Sequence, residues 1–181
     1  MKVFIINVVC GVGSTGKICA EFAEELSQKG DEVYIAYGRG YVPDKYKKYA
    51  RRITNRVEVL WHVFQTRIFD NTGHPSKRAT TRFIKWVKDY DPDIVYLHNL
   101  HGYYLNLEIL FDYLRESKKK IVWTLHDCWA FTGHCSHFSY AKCDRWKTGC
   151  HNCIQKHAYP GTYLFDRSKK NWIEKKELVI F

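Results

Sequence analysis

Residues 10–18, CGVGSTGKI, come within one residue of the phosphate loop G-x-x-x-x-G-K-[ST]. The closing hydroxyl of that pattern ligates magnesium, and Ile18 stands in its place, so ATP hydrolysis by this loop is not expected. Anion chemistry is what remains. Glycines let the backbone approach a ligand, and Gly13, Ser14, Thr15, Gly16 and Lys17 open a helix whose first amides favour a phosphate. Arg39, between two glycines in YGRGY, either reaches a phosphate or forms a turn. In LHNLHGYYLNL, His98, Asn99 and His101 set two imidazoles around an amide, a combination suited to hydroxyl recognition. In WTLHDCW an imidazole and a carboxylate are adjacent: His126 can orient a hydroxyl or stabilise a charged transition state, and Asp127 can act as base or position it.

A second group of residues suits metal. Cys135, Cys143, Cys150 and Cys153 follow the spacing C-x7-C-x6-C-x2-C, and the final pair has the tight spacing with which two thiolates grip one tetrahedral zinc. Four thiolates would make a closed structural site; free thiols or two disulfides are the alternatives, and His134, His137 or His151 could replace one cysteine. Cys10, Cys19 and Cys128 read as small buried residues.

The chemistry-bearing stretches each follow an apolar run. Residues 3–9 form a continuous β-branched and aromatic run, as in a parallel strand covered on both faces. Helical spacing of Cys19, Phe22, Ala23 and Leu26 follows, then a strand over residues 33–37: a β-α-β unit with a glycine-rich first turn. Residues 38–48 read as a loop. Val57, Leu60, Trp61, Phe64 and Ile68 mark a helix expected to pack on the sheet with a basic rim, or else to lie on a membrane surface. Another helix is marked by Phe83, Trp86, Val87 and Tyr90, a strand by residues 94–97, a helix by Leu107, Leu110, Phe111 and Leu114, and a strand by KKIVWTLH. The alternation predicts an α/β, Rossmann-like, mostly parallel sheet with helices on both faces. Residues 128–160 have no period and read as an irregular, Cys-rich inserted lobe. Helical composition returns at residues 166–176, and the closing ELVIF reads as the start of a strand.

The 181 residues suit one well-buried domain, and 45% hydrophobic with 16% aromatic residues is a folding composition. Twenty-nine Lys and Arg against nineteen Asp and Glu leave a net charge of +10, which favours an anionic partner. The excess is partly local, in residues 45–56 and 77–88. No run is long enough to span a bilayer and the N-terminus lacks a signal-peptide cleavage site, so a cytoplasmic location is expected.

Taken together and in order, the glycine-rich turn, LHNLHGYYLN and HDCWAFTGHC, with the later Cys, YP and DRS at residues 166–168, resemble the N-terminal domain of retaining family 4 glycosyltransferases of the GT-B fold. The resemblance covers essentially residues 1–181. It implies transfer of a sugar from a nucleotide-sugar donor to a hydroxyl of a sugar or lipid-linked acceptor, with retention and no catalytic metal. It places residues 13–17 near the donor phosphate and the acceptor, His126 and its neighbour Asp127 in the active site, and His98, Asn99 and His101 on the acceptor side. It also implies cell-surface polysaccharide assembly, with peripheral contact at the inner membrane face. The family's C-terminal donor-binding domain is not among these residues, so the 181 residues alone are expected to be inactive. A zinc-bearing nucleic-acid module is the alternative from another class, but the basic residues are not interleaved with the cysteines and no nucleic-acid partner is expected. A degenerate phosphate-loop nucleotide-binding protein is the remaining alternative.

Overall fold

The computed structural model of the chain describes residues 1–179. Five strands form one sheet: β1 (Lys2–Asn7), β2 (Glu32–Tyr37), β3 (Ala50–Arg52), β4 (Ile94–Leu97) and β5 (Lys120–Trp123). Every pairing is parallel and the spatial order is β3-β2-β1-β4-β5. Five α-helices accompany them: α1 (Gly13–Gln28), α2 (Arg56–Phe69), α3 (Lys77–Tyr90), α4 (Leu107–Ser117) and α5 (Ser168–Val179).

The apolar run of residues 3–6 in β1 is explained by burial on both sides. Side chains alternate across a strand, so Phe4 and Ile6 face a core built with Phe83, Ile84 and Val87 of α3 and Leu110, Phe111 and Leu114 of α4. Val3 and Ile5 face a smaller core shared with Ile35 of β2 and Cys19, Ala20 and Ala23 of α1. Cys10 and Cys19 are buried there, and burial pushes their thiols up to about 11 and about 12. Cys128 is only half-buried, contrary to its sequence reading.

Three features differ from the sequence reading. A short edge strand, β3, sits where no strand was marked: Ala50 and Arg51 pair with Ile35 and Ala36, and partnership with β2 supplies the order that composition does not. Helix α2 is turned the other way from expectation. Its buried residues are His62 and Thr66, while Val57 (74% exposed), Leu60 (66%), Trp61 (57%) and Phe64 (50%) face outward. The inward polar face is satisfied: the Gly73 N–H donates to His62 Nε2 at 3.3 Å, His62 Nδ1 donates to Ser76 Oγ at 2.8 Å, and Thr72 Oγ1 bonds Thr66 Oγ1 at 3.3 Å. Finally, Glu177, Leu178 and Val179 continue α5 as helix rather than starting a strand; Ile180 and Phe181 lie outside the described residues.

Between β5 and α5 the chain makes no α-helix or β-strand, only two 3-10 turns at Phe138–Ala141 and Arg145–Lys147. From residue 137 to residue 159 no residue is buried. The segment is tied down near its start, at Trp129 and His134. Lys175 of α5 donates to the Trp129 carbonyl at 2.6 Å and lies 3.9 Å from the Trp129 ring centroid, and His134 meets Asp70 at 2.5 Å.

Candidate functional site

In a sheet of this order the connections leave β1 in opposite directions, toward β2 on one side and β4 on the other. The crevice beyond the carboxyl ends at that reversal is the ligand position of open α/β folds. Asn7, the last residue of β1 and fully buried, occupies it. Its amide donates to the Val9 carbonyl at 2.8 Å and to Thr15 Oγ1 at 3.3 Å, while its Oδ1 accepts from the Asn99 N–H at 3.3 Å. One side chain thereby fixes the glycine-rich turn against the loop after β4. A lone amide inside an apolar strand was the sequence signal for it.

Helix α1 begins at Gly13 behind an extended Val12, and no side chain caps its first turn. Gly13, Ser14 and Lys17 are exposed, so the free amides open onto the same edge. Gly16 does something else. It is buried, a Cβ there would lie 2.9 Å from Val9 Cγ2, and its carbonyl accepts from the Gly11 N–H at 2.9 Å; it lets the helix close on the strand.

Two histidine pairs stand beside this turn. His98, at the exit of β4, and His126, after β5, approach to 2.8 Å between Nδ1 and Nε2, with their rings stacked at 18°. Burial, then the neighbouring His126, pushes His98 down to about 4, so it is neutral at neutral pH. Burial also lowers His126, against the opposing pull of Asp127. With Nε2 held by His98, His126 presents Nδ1, which has no protein partner among the described residues. The His98 backbone is itself pinned, because Trp123 Nε1 donates to its carbonyl at 3.0 Å.

The second pair is His101 and Asp127, 2.6 Å apart. A carboxylate only accepts, so Nε2 of His101 carries the proton, and Nδ1 accepts from the Tyr159 hydroxyl at 3.3 Å. Tyr159 in turn accepts from Arg39 at 3.2 Å. The chain Arg39 to Tyr159 to His101 to Asp127 joins the exits of β2, β4 and β5 with consistent donors and acceptors. Burial alone would raise the Asp127 carboxyl, but the hydrogen bond from His101 and that from the Trp129 amide, 2.9 Å from Oδ1, hold it below the usual carboxylate value. Tyr159 was not singled out from sequence as a site residue; it lies 58 residues from His101, and only its place in a YP dipeptide marked it.

The sequence-marked residues Arg39, His98, Asn99, His101, His126 and Asp127 are thus brought to one edge, with Thr15 tied in through Asn7. The cavity among His98, His101, His126, Asp127 and Trp129 is about 10 Å³, room for about one water molecule and for no larger ligand. Ligand contact at this edge is surface contact. Cys135, Cys143, Cys150 and Cys153 are elsewhere, around a separate cavity.

A parallel α/β domain with imidazoles, a carboxylate and an open helix N-terminus at the topological switch point is a Rossmann-like ligand-binding domain. The chain belongs to Glycosyltransferase Family 4, which it matches over residues 15–175. It is 25% identical over 193 residues to a protein of Escherichia coli (strain K12) named as a colanic acid biosynthesis glycosyl transferase, WcaC; the match covers 98% of this chain and 45% of that protein. The chain therefore spans less than half the length of that relative. No solved structure matches it significantly.

Proposed function

We propose that this chain forms the acceptor-side half of a retaining glycosyltransferase that builds a cell-surface polysaccharide. The observation that carries the reading is the pair of contacts His98–His126 and His101–Asp127 at the switch-point edge, beside the uncapped start of α1. In the reaction the acceptor oxygen bonds the anomeric carbon while that carbon's bond to the donor phosphate oxygen breaks, and the acceptor proton leaves with the diphosphate. His126, held neutral, offers Nδ1 to a hydroxyl of the transferred sugar. Asp127 and His101 orient the acceptor, and the amides at residues 13–15 with Arg39 face the donor phosphates.

Because the edge has no enclosed cavity, the nucleoside and diphosphate need a second wall, and the remaining length of the relative is the candidate source. On this reading the 181 residues by themselves transfer no sugar. The acceptor is proposed to be lipid-linked, presented at the inner face of the membrane. The outward apolar face of α2, with exposed Arg52, Arg56, Lys77 and Arg78 nearby in the chain, suits an anionic bilayer. Among the described residues no helix is long and apolar enough to cross a membrane.

The test is His126→Ala in a chain carrying both halves, assayed for sugar transfer and for folding by circular dichroism. Transfer should fall at least about 100-fold with the fold intact. Turnover at the wild-type rate would reject the assignment.

A further inference from the structure

The four cysteines that spacing singled out converge in the fold. Cys135, Cys143, Cys150 and Cys153 all line one cavity, closed by Phe138 and Trp146. Its volume is about 20 Å³, room for a single ion or water and for no organic ligand. Cys135 and Cys153 share a hydrogen bond, and the Gly133 N–H donates to Cys150 Sγ at 3.2 Å, as backbone amides do toward metal-bound thiolates. Every cysteine is free of disulfides.

Beyond its ties to the domain the segment is held by isolated hydrogen bonds, such as Arg145 to the His151 and Asn152 carbonyls at 2.9 and 2.8 Å and Trp172 Nε1 to the Trp146 carbonyl at 3.0 Å. It has no regular sheet or helix and no buried residue over 137–159, and only the contacts of Phe131, Phe138 and Trp146 give it an apolar centre. A segment of this size without a core of its own needs a cross-link of some kind. We propose that Cys135, Cys143, Cys150 and Cys153 bind one structural zinc ion as a tetrahedral four-sulfur site. Each thiol releases its proton to solvent as its zinc–sulfur bond forms. Among the described residues no three His, Cys, Asp or Glu side chains already stand as a finished cage, so the ion draws the sulfurs in from the walls of the cavity they share.

Of the histidines nearby, His134 and His151 line the same cavity with Nδ1 of each already engaged, and His134 Nε2 is buried without a partner among the described residues, so His134 is the residue that would stand in for a cysteine. His134 is paired with buried Asp70, His151 donates Nδ1 to the Gly149 carbonyl at 3.0 Å, and His137 is exposed against Tyr140. The ion also matters for the edge described above, since Ser136, next to Cys135, donates to the Tyr159 carbonyl at 3.3 Å. Zinc in this segment fixes the support from which Tyr159 reaches His101.

Elemental mass spectrometry and thiol alkylation on the purified chain test this. The expected result is about one zinc per chain, with four thiols protected until a chelator strips the metal. Cys150→Ser should lose the zinc and Cys128→Ser should keep it. Cobalt substitution reports the site without any variant, through the visible bands of tetrahedral cobalt and thiolate charge transfer for four sulfurs. No metal after anaerobic reconstitution with zinc chloride, a Cys135–Cys153 disulfide in freshly purified protein, or a cobalt spectrum of fewer than four thiolates would each overturn the proposal.

Discussion

His101 and Asp127 close a hydrogen bond of 2.6 Å between the loops that follow β4 and β5, with both side chains almost sealed from solvent. The bond is the end of a directed series that starts at Arg39 and passes through Tyr159. Removing the Tyr159 hydroxyl takes away the donor to His101 Nδ1 without touching Asp127. Tyr159→Phe should therefore lower kcat about 10-fold with little change in KM, and combined with Asp127→Asn it should be non-additive by about 1 kcal/mol. Steady-state kinetics of the three variants, made in the two-half enzyme proposed above, checks this; strict additivity would dissolve the series into unrelated contacts.

Acid should weaken the fold through its buried imidazoles. Burial holds His98 at about 4 and His62 at about 3, whereas an unfolded imidazole titrates near about 6.5. As pH falls from about 6.5 to about 4 the unfolded chain takes up protons that the folded chain refuses, so stability is lost across that window. Each group contributes a loss on the order of 3 kcal/mol. Denaturant midpoints at pH 7 and pH 4.5 should show the drop, and His62→Gln, though less stable at pH 7, should show a shallower one.

Gly38→Ala should be severe. A Cβ at this position, directly after β2, would lie 2.2 Å from Cβ and Cγ of Tyr104, which is wholly buried and donates its hydroxyl to the Asn99 carbonyl at 2.7 Å. Tyr104 has nowhere to go, so the cost should reach about 3 kcal/mol. Gly13→Ala meets open space and adds only the strain of φ +64°, about 1 kcal/mol. Thermal melts of the two variants give the comparison.

The outward face of α2 predicts lipid dependence. Trp61→Ser with Phe64→Ser removes two exposed, mutually stacked rings and should leave the melting temperature almost unchanged. Co-sedimentation with vesicles rich in anionic phospholipid should fall at least about 10-fold. Equal binding by the double variant would assign any vesicle affinity to the basic residues alone.

The parts legible in the sequence were those where local pattern and tertiary role agree. β1 read as doubly covered and is; β4 falls on residues 94–97 as read; the chemistry-bearing residues were sought after strands and the fold gathers them there. What escaped needed knowledge of partners. β3 is held by β2 rather than by its own Ala-Arg-Arg. The α2 stripe named the apolar face correctly but not its direction, because His62 and Thr66 find hydrogen bonds inside that hydropathy cannot foresee. Asn7 and Tyr159 act across long separations in the chain, which spacing does not reveal.

The edge strand β3 has a bearing on how the molecule behaves at high concentration. An open sheet exposes unpaired backbone along its rim, an invitation to stack rim to rim with another copy. Here the last two residues of β3 are Arg51 and Arg52, both exposed. A second copy adding a strand at that side must bring its own arginines against these and strip water from all of them. The short length of the strand and its positive charge act as a guard against polymerisation, leaving the carboxyl ends of the strands free to meet their ligands.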